Sequence, residues 1–143
     1  MPYEFLEDVA TADIAFRAWG GDLEETFVAA ADAVMNVMIE DLDTIQLREE
    51  RRLTLDNDAL DMLLFDFLQE LVYYKDAEQL MLRVSHVHIA QHDGRYQLEA
   101  VACGEKLDLT RHRTRVDVKA VTLHRFSLQQ SAQGWEASVI LDI

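Results

Sequence analysis

Proline is nearly missing from this chain, whose 143 residues include Pro2 and no other, alongside five glycines and a single cysteine, Cys103. Without later prolines or a Gly/Ser-rich stretch nothing marks a linker, so residues 1–143 read as one domain. One cysteine excludes an intrachain disulfide framework, and a lone thiol fits a reducing compartment, so a cytoplasmic protein is expected. The longest unbroken apolar run is the short Phe27–Ala31 stretch, and Met1-Pro2-Tyr3-Glu4 is acidic where an export signal would be basic. No membrane span is expected. Basic residues are also scarce, 13 Lys and Arg against 27 Asp and Glu, for a net charge of -14. A chain this acidic repels phosphate backbones, so autonomous nucleic-acid binding is not expected. No phosphate-binding glycine loop, dinucleotide fingerprint or Ser/His/Asp signature is present.

What is present is half hydrophobic by composition, which excludes a disordered chain. Thr11 to Trp19 alternates, with Ala12, Ile14, Phe16 and Ala18 on one face, and predicts a half-buried strand closed by Gly20-Gly21. Asp22 then stands at an N-cap position with Glu25 as capping-box partner, opening a helix over Leu23–Ile39. Ile45 to Leu55 is a strand with a charged, solvated middle, placed near a sheet edge. With Asp56 or Asn57 as cap, Leu60, Leu63, Leu64, Phe67, Leu68, Leu71 and Val72 predict a second helix ending about Tyr74. Strands follow from Leu80 and, after the hairpin dipeptide Asp93-Gly94, over Arg95–Cys103; two more span about Thr114–Gln129, with a bend, and Trp135–Ile143. This order predicts an α+β, two-layer fold, a mixed and mostly antiparallel β-sheet covered on one face by two α-helices.

Chemistry-bearing residues are few. His86, His88 and His92 have metal-like spacing, but His86 and His88 share a face with Leu80, Leu82 and Val84, which reads as a core border. Cys103 has no His and acid at nucleophile spacing and reads as a buried structural thiol. Asp13 lies inside a strand, where a carboxylate has poor propensity, and Asp142 precedes Ile143 in the last strand. If these strands are neighbours, Asp13, Asp142 and the Ile143 α-carboxylate converge and repel one another without a cation. An all-oxygen set of that kind suits Ca2+, Mg2+ or Mn2+ better than zinc. The plainer alternative has Asp13 as a turn or cap acceptor and Asp142 solvated. Lys119 shares a strand face with Asp117, either as an exposed pair or as a positive group beside the carboxylates that meets a phosphate or an acidic partner surface.

The runs Phe5-Leu6-Glu7 and Thr11 to Gly20, then Gly104 to Asp108, His112, Val116 to His124, and Gly134-Trp135 through Val139 to Ile143, resemble the archease family in order along the whole chain. The resemblance implies a non-catalytic metal-binding accessory protein. Archeases promote guanylylation of the tRNA-splicing RNA ligase that joins 2',3'-cyclic or 3'-phosphate ends to a 5'-hydroxyl, and they let it turn over repeatedly. Carried onto this sequence, the family's divalent-ion site, typically calcium, is Asp13, Asp142 and Ile143, and Lys119 matches the motif lysine as a partner-contact residue. Where family members often carry His directly before the Thr-Ala-Asp triplet, this chain has Asp8-Val9-Ala10, so Ala10 takes that place and Glu7 or Asp8 is left as an outer acceptor.

Overall fold

A computed structural model describes residues 2–6 and 13–143. The elements are β1 (Tyr3–Leu6), β2 (Asp13–Gly20), α1 (Leu23–Met38), a short 3-10 turn (Leu42–Thr44), β3 (Glu49–Asn57), α2 (Leu60–Glu78), β4 (Leu80–His92), β5 (Arg95–Lys106), β6 (Ala120–Ser131) and β7 (Gly134–Asp142). The α+β class holds, with both helices where the apolar periodicity places them. The sheet expected as one mixed layer is two antiparallel sheets, ordered β1-β2-β7-β6 and β3-β5-β4. The reason lies in the two crossovers. β3 and β4, joined through α2, run in the same direction, but β5 inserts between them; β7 does the same between β2 and β6. Each strand that a parallel pairing would need is therefore separated by an antiparallel hairpin return.

Local chemistry sets the element ends. Asp22 caps α1, its Oδ1 accepting from the Glu25 N–H at 2.8 Å, while Glu25 Oε2 accepts from the Gly21 N–H at 2.9 Å. α2 lacks the cap expected from Asp56 or Asn57: its N-cap is Ala59, and Asn57 accepts from the Ala59 N–H instead, at 3.0 Å. α2 continues one turn past Tyr74 and stops at Gln79, which adopts the left-handed conformation of a helix C-cap (φ 54°). Gly104 is required by close approach, since a Cβ there would lie 1.8 Å from the Met81 carbonyl oxygen. Gly134, at φ 137°, makes the β6–β7 turn against the Gly20 carbonyl.

The helices share one core. Phe27 of α1 and Phe67 of α2 are both fully buried, with ring centroids 5.7 Å apart, and Phe16, Leu53, Leu98, Val139 and Leu141 join them from both sheets. The edge position expected for the charged strand is found, since β3 borders the three-stranded sheet. Two irregularities depart from simple alternation. A bulge between Val84 and Val87 turns Val87 into the core and leaves His86 and His88 exposed, so the face that alternation assigns them with Leu82 and Val84 is broken. In β6, residues 123–126 loop out opposite Val139, with Arg125 at φ 53°.

The strand expected from Thr114 begins only at Ala120. Residues 107–119 instead form an irregular arm joining the two sheets across the C-terminus of α1. Arg115 and Val116 donate their N–H groups to the Met38 and Val37 carbonyls, and Thr114 bridges to Ile39. These bonds satisfy carbonyls that the end of a helix otherwise leaves without a donor.

Candidate functional site

β2 and β7 are neighbours in register, and the pairing sets Asp13 opposite Asp142. On β2 the side chains of Ile14, Phe16 and Ala18 face the core; on β7 those of Ala137, Val139 and Leu141 do. Alternation therefore turns Asp13 and Asp142 to the opposite face together. Directly opposed residues hold their Cβ atoms about 4.5–5.5 Å apart, and like charges so placed destabilise a sheet. Both aspartates are half-buried, and among the described residues neither has a hydrogen-bond or ion-pair partner. The Ile143 side chain packs against the core beside them, which fixes the position of its main chain.

Among the described residues, no group of three or more His, Cys, Asp or Glu side chains could hold a metal ion. The side chains alone thus supply two carboxylates, and the terminal carboxylate of Ile143 is the third donor in the expected set. Two opposed, unpartnered carboxylates fit a hard cation that keeps part of its water shell. Ala10, Glu7, Asp8 and Thr11 lie outside the described residues.

Lys119 is exposed, and its N–H donates to the Asp142 carbonyl at 2.8 Å. It therefore borders the carboxylate pair through the main chain. The face shared with Asp117 is not found, because the arm is not a strand: Asp117 pairs with Lys75 of α2 at 2.8 Å. The same Lys75 ammonium is buried and donates to the Val118 carbonyl at 2.7 Å, and the neighbouring carboxylates hold its pKa above the ordinary lysine value despite burial. Lys75 went unnoticed in the sequence, although Leu68, Leu71, Val72 and Lys75 repeat at three and four and so place it on the buried face.

A second cluster fastens the other end of the arm. Glu105, 5% exposed, receives Arg111, the His112 ring at 3.0 Å and the Gln46 N–H at 2.7 Å. The Asp108 N–H donates to His112 Nδ1 at 2.9 Å, which leaves Nε2 to donate to Glu105. Arg111 first, then these other donors, lower the Glu105 carboxyl from 4.5 to about 2. The signal in sequence was a glutamate inside an apolar strand with a histidine seven positions on.

A larger cleft, of about 680 Å3, lies elsewhere, lined by Trp19, Asp22, Glu24, Glu25, Asp32 and His86 among others. Its acidic character is structural. Asp22 and Glu25 are occupied at the start of α1, Glu24 accepts from the Ile89 N–H at 2.7 Å, and Asp32 holds Arg83 at 3.1 Å. Cys103, expected to be buried, is half-exposed on the far face of β5, opposite Arg83. The three histidines of the metal-like spacing are all exposed and spread along β4.

A central strand pair that sets two aspartates opposite each other at its end gives this small α+β sandwich a carboxylate edge. The model of the Archease protein family matches residues 3–143, and the chain belongs to that family. It is 38% identical to the protein archease of Methanosarcina mazei over 142 residues, 99% of this chain and 95% of the relative. The protein archease of Pyrococcus abyssi is 37% identical over 134 residues, 93% of this chain and 94% of its own. A solution structure of a Methanobacterium thermoautotrophicum protein superposes with a TM-score of 0.85 at 37% identity, covering 99% of both chains. The crystal structure of an archease described as a possible chaperone, from Thermotoga maritima, shares the fold at a TM-score of 0.60 and 15% identity.

Proposed function

We propose that this protein is a non-catalytic activator of a GTP-dependent tRNA-splicing RNA ligase, promoting its guanylylation and multiple turnover, with Asp13, Asp142 and Ile143 holding a divalent cation. The observation that carries the reading is the in-register pair of aspartates without a partner among the described residues, which is where the family resemblance puts its ion. Ca2+ is the expected occupant, and Mg2+ or Mn2+ suits the same oxygen donors. Bound there, a divalent ion offsets the repulsion between the two carboxylates and adds positive charge to the edge.

The remaining work falls to the chain's own residues. β7 carries Asp142 between β2 and β6, so both neighbours fix its carboxylate before a partner arrives, and Lys119 presents an ammonium at the same edge. Such an edge shifts a ligase only by binding one of its states more tightly than another, here the state that accepts guanylylation. The surrounding negative charge suits a partner with a basic RNA channel and makes association weaken with salt.

The test is ligation of an RNA pair at limiting ligase with GTP and divalent metal. Wild-type protein is expected to stimulate, Asp13→Ala to fold but not stimulate, and either protein without ligase to join nothing. Stimulation that survives Asp13→Ala refutes the role of the carboxylate edge, and joining or hydrolysis by the protein alone refutes the non-catalytic role.

A further inference from the structure

The cations of this acidic chain are unevenly partnered. Among the described residues, seven of its 13 Lys and Arg have a carboxylate within 4.0 Å: Arg17, Arg48, Arg51, Lys75, Arg83, Arg95 and Arg111. With 27 acids available, that is the ordinary outcome. Four of the remaining six, Arg113, Arg115, Lys119 and Arg125, fall within thirteen consecutive positions, and all four are exposed with no side-chain partner among the described residues. Residues 109–125 contain one acid, Asp117, and Lys75 already engages it.

The same stretch exposes large apolar side chains: Leu109 at 74%, Val116 at 40% and Leu123 at 57%. Its backbone is not loose. Glu105 holds it at one end, Lys75 and the Asp142 carbonyl at the other, and the C-terminus of α1 along its middle. The bulge that raises Leu123 also forces Arg125 into the left-handed region, a backbone cost of the kind concentrated at functional sites.

We propose that the arm and the β6 bulge, Leu109 to Arg125, form a docking strip for a protein surface that presents carboxylates around an apolar recess. Interleaved leucine, valine and cations match the apolar centre and charged rim of a protein interface. A phosphate backbone would use the charge but not the leucines, and the rest of the chain repels it. This inference rests on the proposed function, under which the partner is the ligase. The strip meets the carboxylate edge at Lys119 and Asp142, so one partner spans both, the cation edge reaching its reaction centre and the strip gripping acidic surface beside it.

The experiment measures association of labelled full-length protein with the ligase, comparing wild type, the double charge reversal Arg113→Glu/Arg125→Glu, and Arg52→Glu, a cation outside the strip with no partner among the described residues. Each is also titrated with Ca2+ by thermal shift and, without ligase, with a labelled single-stranded RNA. The expected result is at least tenfold weaker ligase binding for the double reversal, wild-type binding for Arg52→Glu, an unchanged Ca2+ response, and no RNA binding by any of them. If the double reversal fails to fold, Arg113→Gln/Arg125→Gln takes its place with a loss of at least threefold expected. Unchanged ligase binding by the strip variant, beside a wild type that binds, overturns the strip and leaves the proposed function standing. RNA binding by wild type that the reversal abolishes assigns the strip to nucleic acid and overturns the inference. Absence of ligase binding by wild type overturns both readings.

Discussion

Glu105 and the Asp13–Asp142 pair are carboxylates held at opposite ends of the same arm, and their surroundings are opposite too. Glu105 is buried and receives a guanidinium, an imidazole and a main-chain N–H. Asp13 and Asp142 are half-buried, face each other, and have no donor among the described residues. A carboxylate supplied with donors is part of the scaffold. One left without them, opposite its like, is poised to take something from outside. The 680 Å3 cleft belongs with Glu105 in this respect, because its acids are already spent on helix ends, a strand N–H and Arg83.

The sharpest way to break the contrast is Glu105→Ala. It strips the arm's anchor of its central acceptor, and about 3–5 kcal/mol of stability is expected to be lost in urea unfolding. Its pH dependence follows from the lowered carboxyl. Because the folded value is about 2 against an ordinary 4.5, the stabilisation is complete above pH 4.5 and drains away as pH falls from 4.5 towards 2. Glu105→Gln should flatten that part of the acid-unfolding curve. Asp13→Asn should act on ligand response: under the proposed function, Ca2+ at a hundred times its dissociation constant should stabilise the wild type by about 2.7 kcal/mol, and calorimetry should show that gain vanish in the variant.

Smaller effects sharpen the same comparison. Lys75→Met leaves the Val118 carbonyl without its donor and should cost about 1–3 kcal/mol in thermal unfolding. Asp22→Ala, removing a carboxylate already in use as a cap, should cost about 1 kcal/mol and leave the Ca2+ response as it was. Asp142→Asn measured without any divalent ion should do the reverse and raise stability, by about 0.2–1 kcal/mol, through relief of the opposed charges.

The sequence was most legible where periodicity is strong. Both helices, the Asp22 cap, the Asp93-Gly94 hairpin and the edge strand follow from spacing alone, and the placement of β2 beside β7 makes the convergence of Asp13 and Asp142 real rather than conditional. Pattern failed where a strand is interrupted. The bulge at Val84–Val87 reverses the faces of His86 and His88, and no residue type announces it. The arm carries no period because residues remote in sequence, Lys75, Gln79 and the end of α1, hold it in place. β1, four residues long, is too short to give an alternation signal and exists through its pairing with β2.

The pairing of β2 with β7 also has a consequence in time. Asp13 leaves the ribosome early and Asp142 late, so β2 waits for its partner through the synthesis of both helices and four other strands. Contacts between positions so distant in the chain form late and slow the folding of a domain that depends on them. The carboxylate edge is therefore absent from every incomplete chain. A partner that reads this edge would read only finished copies, and a nascent or clipped copy that lacks β7 would be silent by construction.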